Sequence, residues 1–143
     1  MKEKVVLTCK DLEGNLLEEI IWVVKTDGHS YKVDNIPFYA PNLALGDVIS
    51  VENDQGVLYF DDLIEASGHS TIQIIFFDSK QSEKVINRLE QLGCQWESMK
   101  GQPYFAVDVP ADIDYSKIKK FLDIQFENKV LDYKEACLSE NHH

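Results

Sequence analysis

Apolar and polar residues alternate along the first half of the chain with a period near two, in short runs cut by turn residues. Residues 5–10 form an apolar strand, Glu13-Gly14-Asn15 a turn, and residues 19–25 a second strand through Ile20, Ile21, Trp22, Val23 and Val24. Asp27-Gly28 supplies the positive φ values of a tight hairpin that brings residues 30–33 back onto the Trp22 strand, where Trp22 and Tyr31 can meet across the pair. Between residues 35 and 45, Pro37, Pro41 and scattered apolar residues predict an ordered loop wrapped on the core. Residues 46–51 and 57–65, separated by Asn53-Asp54-Gln55-Gly56, complete five short strands in a meander. Bending into a small or half-open barrel hides the edges of such strands.

The rhythm changes after Gly68. Residues 70–77 are apolar enough for a central strand. Asp78 or Ser79 then caps a helix reaching Leu92, with Val85, Ile86, Leu89 and Leu92 on one face and Gly93 closing it. Residues 94–99 and 104–109 form a strand pair about the turn Lys100-Gly101-Gln102-Pro103. Asp112 or Asp114 caps a second helix, and residues 130–138 end as a strand whose Leu131, Tyr133 and Cys137 share a face. The order β-α-β-β-α-β is the plan of a ferredoxin-like unit. The predicted class is therefore α+β: an acidic β-rich part over residues 1–67 and a ferredoxin-like part over 68–143, together one folding unit.

Charge adds a location to this picture. The net charge is −11, with five lysines against thirteen Asp and Glu in residues 1–67 and nine basic against twelve acidic residues afterwards. Such acidity disfavours direct nucleic-acid contact and anionic membranes, and favours encounter with a basic partner. Asp47, Glu52, Asp54, Asp61, Asp62 and Glu65 are the candidates for that face. No apolar run approaches the roughly 20 residues that span a bilayer. The amino-terminal residues lack a signal-peptide pattern, so the expected place is the cytoplasm, as a monomer or weak dimer. Cys9, Cys94 and Cys137 have no CxxC spacing and are expected as reduced, mostly buried thiols.

Few residues carry recognisable chemistry. Ser67-Gly68-His69-Ser70-Thr71 is the densest polar motif and lies where the two parts join; with Asp34, Phe38 and Tyr39 it makes the junction a candidate ligand site. The plainer reading is that Gly68 allows a bend while His69 and Ser70 satisfy backbone groups, because a sequence-adjacent Ser and His point apart on an extended segment. A hydrolase or transferase would need a nucleophile within reach of His69, with Ser70, Asp34 or a thiol as the choices. No cofactor is implied: glycines are isolated at turns, and no metal-ligand spacing occurs. Lys117, Lys119 and Lys120 read as a solvated helix face, and the terminal His142-His143 is given no functional weight.

Seven segments together resemble a known pattern: residues 31–38 (Tyr-Lys-Val-Asp-Asn-Ile-Pro-Phe), Leu45-Gly46-Asp47-Val48, Ser67-Gly68-His69-Ser70-Thr71, Leu92-Gly93-Cys94, Val107-Asp108-Val109-Pro110, Asp114-Tyr115 and Glu135-Ala136-Cys137-Leu138. From about residue 22 to 138 the chain resembles an uncharacterised bacterial family, domain of unknown function family 4265. The resemblance implies a bacterial protein and brings no activity, cofactor or catalytic residue with it. From the residues themselves, the expected function is non-enzymatic binding: an immunity-type inhibitor that neutralises a cognate basic, nuclease-like protein toxin through the acidic face. The alternative is a small-ligand-binding or regulatory module at the junction.

Overall fold

The structure is a computed structural model and describes residues 2–11, 13–26 and 28–143. Its first five strands are β1 (Lys2–Lys10), β2 (Leu16–Lys25), β3 (Ser30–Val33), β4 (Val48–Asp54) and β5 (Val57–Glu65). They pair antiparallel in sequence order, and a short parallel pairing of Val5 and Val6 with Leu58 and Tyr59 closes them into a barrel. The half-open alternative is thus replaced by closure, made by two residue pairs between β1 and β5. Alternation sends Val5, Leu7, Ile21, Val23, Val33 and Ile49 inward to form the barrel core. The predicted β2–β3 hairpin is present; Asp27 of its turn lies outside the described residues.

Trp22 and Tyr31 do not meet. Strand parity points Tyr31 into the barrel, while Trp22 faces outward with the Lys4 ammonium 5.2 Å from its ring.

The second sheet contains β6 (Ser70–Phe76), β7 (Gln95–Ser98), β8 (Tyr104–Val109) and β9 (Leu131–Cys137), in the all-antiparallel order β7-β8-β6-β9. Helix α1 (Ser82–Gln91) connects β6 to β7, and α2 (Tyr115–Glu127) connects β8 to β9. Asp78 caps a short 3-10 turn, Ser79–Gln81, that leads into α1, and Asp114 caps α2 by accepting from the Ser116 amide. Val85, Ile86 and Leu89 of α1 pack with Ile118 and Leu122 of α2 on Ile72, Ile74, Phe76, Val107 and Val109. Gly93 ends α1 at φ +100°; a Cβ there would lie 2.6 Å from Ile113 Cδ1, so only glycine fits.

A register shift between Thr71 and Ile72 alters the expected face of β9. Leu131 and Tyr133 lie opposite Phe76 and Ile74 on the helix side, whereas Cys137 lies opposite Thr71, on the side toward the barrel. The single extra residue flips the alternation, which a strictly two-residue period cannot anticipate.

The predicted proline loop joins the two sheets. Ile36, Ala40, Leu43 and Ala44 are buried, the Asn42 amide donates to Ala136 O, and Thr71 Oγ1 donates to Leu43 O. The second sheet thus satisfies backbone groups of the loop, while Glu19 of β2 satisfies others from the barrel side.

Candidate functional site

The polar groups of the junction form a connected set built from buried acids. Asp47 is only 2% exposed, at the tight turn that enters β4; its carboxylate accepts from the Ala44 amide at 2.9 Å and the Ser67 amide at 2.8 Å. Asp47 is therefore removed from the partner-facing set. Its carboxylate is consumed by the backbone, which a charge count along the strand does not reveal.

Ser67 continues the chain of contacts, donating its hydroxyl to Leu45 O and accepting from the His69 amide. Gly68 turns the backbone at φ +93°, with Asn141 Nδ2 and Ala111 Cβ about where a side chain would begin, at 3.0 and 3.1 Å from the position of a Cβ. The bend sends the next two side chains to different partners. His69 Nδ1 lies 2.9 and 3.0 Å from the two oxygens of Asp108, itself 1% exposed. Burial raises the Asp108 carboxyl above its ordinary range, against the opposing hydrogen bond and charge of His69. An ionised carboxylate only accepts, so His69 Nδ1 is the donor of this pair.

The His69 side chain remains 27% exposed and borders a shallow depression with Lys32, Asp34, Gly46, Glu65 and Ser67. Asp34 is tied to Lys2 by an ion pair of 3.1 Å instead of to His69. Among the described residues, no hydroxyl or thiol is hydrogen-bonded to the His69 ring. The oriented imidazole can hold or pass a proton, yet the nucleophile that the hydrolase or transferase reading needs is not within its reach.

Ser70 points to the helix side, where its hydroxyl accepts from the Ser139 amide and lies 2.6 Å from His142 Nδ1. His142 Nε2 lies 3.0 Å from Pro110 O; since that carbonyl can only accept, Nε2 bears the proton and Ser70 donates to Nδ1. This Ser-His pair is sealed, with Ser70 fully buried and His142 nearly so. It latches the carboxyl-terminal turn onto β6. His142 is thus a buried part of the fold.

Phe38 and Tyr39, both half-buried, are held by Glu19, which no sequence motif marks. The carboxylate of Glu19 accepts from the amides of Phe38 (2.6 Å), Tyr39 (3.0 Å) and Ala40 (2.9 Å). Its position on the inward phase of β2, with Ile21 and Val23, was the available signal. Asp108 carried a comparable one, a carboxylate within the buried run 106–109. Glu52, Asp54, Asp61, Asp62 and Glu65 are all exposed along β4 and β5, as a solvated strand face requires.

The thiols are free: Cys9 and Cys94 are buried, and Cys137 is half-buried. Burial, with Asp108 nearby, pushes the Cys94 thiol up to about 12; burial, with Asp47 nearby, pushes Cys137 up to about 11. Neither is a ready nucleophile. Among the described residues, no group of three or more His, Cys, Asp or Glu side chains could hold a metal ion, and no helix is long and apolar enough to cross a membrane.

A closed five-stranded barrel joined through an ordered loop to a four-stranded sheet under two helices places the chain in the mixed α+β class. Within that class, the family model described as Domain of unknown function (DUF4265) matches residues 19–133, and the chain belongs to that family. It is also similar to a solved structure described as "Novel crystal structure of a hypothetical protein from Neisseria gonorrhoeae", at 34% identity and a TM-score of 0.87, over 97% of this chain and 96% of that one. No curated protein matches the chain.

Proposed function

We propose that the protein is a non-enzymatic binding protein of the cytoplasm whose acidic β4–β5 hairpin receives a basic protein partner, in the specific form of an immunity-type inhibitor of a nuclease-like toxin. The observation that carries this reading is the exposure of five carboxylates, Glu52, Asp54, Asp61, Asp62 and Glu65, around the uncovered apolar side chains of Val57, Leu63 and Ile64, the last 57% exposed. Charges of one sign steer a basic partner, and apolar anchors slow its departure. Residues 60–65 add a second support: β5 pairs with β1 only at Leu58 and Tyr59, so beyond that point its outer edge is open to another strand.

Co-expression with a nuclease-like toxin, should a gene for one lie beside this gene, is the test. Relief of growth arrest and a purified complex whose association slows with added salt are expected. Unrelieved arrest with no complex overturns the reading.

The finer architecture belongs to the same proposal. The strand order β7-β8-β6-β9 and the two crossing helices support a ferredoxin-like unit over 68–143 beside the acidic part over 1–67, with the two cores and their shared loop acting as one folding unit. A second functional reading, a small-ligand or regulatory module at the junction, is favoured by a cleft of about 330 Å³ bordered by Phe38 and Tyr39.

A further inference from the structure

The cleft beneath Phe38 and Tyr39 has a floor with a definite chemical pattern. Strand register lays two rows of residues across the barrel-facing side of the sheet: Tyr104, Ile75 and Asp132 in one, Ala106, Gln73 and Lys134 in the other. The β8 end is apolar and the β9 end carries opposite charges, Asp132 and Lys134, two residues apart and so about 7 Å along one face of the strand. Among the described residues neither of them makes an ion pair.

The middle of the floor is also prepared. Gln73 donates its side-chain amide to Phe38 O, which fixes the group in place, and among the described residues its amide oxygen accepts no hydrogen bond. Phe38 is in turn held by Glu19, so the aromatic rim and the polar floor are braced against each other. Rigid placement of this kind lowers the ordering cost of binding a small molecule.

We propose that this cleft binds a free α-amino acid with an aromatic or branched apolar side chain. The side chain lies over Ile75 and Tyr104 between Phe38 and Tyr39, the ammonium meets Asp132 and the Gln73 amide oxygen, and the carboxylate meets Lys134. A volume of about 330 Å³ accommodates such a molecule. The assignment rests on the junction-ligand reading above and names its ligand class.

Titration of the full-length protein with phenylalanine, leucine, phenethylamine and 3-phenylpropionate, followed through the Gln73 side-chain amide by NMR, is the test. Either amino acid should shift that resonance saturably, the two single-charge analogues should bind at least about tenfold more weakly, and Asp132→Asn or Lys134→Ala, both at exposed positions, should weaken the amino acid by about the same factor. Glu52→Gln, on the barrel hairpin, should change nothing. Equal binding of the single-charge analogues, or indifference to both β9 variants, overturns the amino-acid assignment while leaving a ligand cleft. Failure of all four compounds to move the Gln73 resonance overturns the assignment and the junction-ligand reading together.

Discussion

The barrel end that faces the second sheet and the β4–β5 hairpin draw on the same acidic stretch of sequence and use it in opposite ways. At the first, Glu19 and Asp47 are buried and spend every strong acceptor on backbone amides of residues 38–40, 44 and 67. At the second, five carboxylates stand in water and carry little internal obligation. Acidity therefore has two physical meanings in this chain, one an internal clamp and the other a surface field.

The comparison is broken most directly by removing the clamp. Glu19→Ala leaves three amides without their acceptor and should cost about 3 kcal/mol in urea unfolding, whereas Glu18→Ala, the exposed neighbour on the same strand, should stay within about 0.5 kcal/mol. Equal effects of the two would show that the clamp is not a stabilising device. The latch on the other side of β6 should rank next. Ser70→Ala removes the acceptor of the Ser139 amide and the donor to His142, for an expected loss of about 2 kcal/mol and faster hydrogen exchange at residues 139–142.

A smaller effect follows from Asp47 and the thiol beside it. Cys137 and Cys94 rise from 9.0 to about 11 and about 12 in the fold, so their contribution to stability is full below pH 9 and is lost as pH rises through those values. Thiolate absorbance should accordingly appear in the native protein well above the pH at which it appears in urea. Asp47→Asn should lower the Cys137 midpoint and leave Cys94 where it is, because its charge acts on Cys137 alone among the two. The least effect on stability belongs to the hairpin: neutralising Glu52, Asp54, Asp62 and Glu65 as amides should leave unfolding within about 0.5 kcal/mol, while slowing association with a basic partner about tenfold at low salt. A large loss of stability in that variant would merge the two regions into one.

Local patterns carried the secondary structure a long way. Alternation in β2 and β8, the apolar stripe of α1, the Asp114 cap and Gly93 as helix terminator are all written in short stretches of sequence, and each appears as expected. The site was less legible. Phe38, Tyr39, Gly68, His69 and Ser70 were visible as a group, but they divide among three environments: the aromatic cleft, the Asp108 pair and the His142 latch. Glu19, Gln73 and Asp108 looked like ordinary strand polars, since their partners lie between about 20 and 40 residues away.

By itself the sequence determined the elements, their caps and turns, the apolar faces that must be hidden, and the excess of acid in the first half, because propensity, periodicity and net charge are properties of neighbours along the chain. Only the tertiary structure decided that the meander closes between β1 and β5, that one shifted residue turns Cys137 toward the barrel, and that of the six named acids Asp47 goes inside while five stay out. Whether a carboxylate becomes a clamp or a surface charge depends on which distant amides the fold places within 3 Å of it.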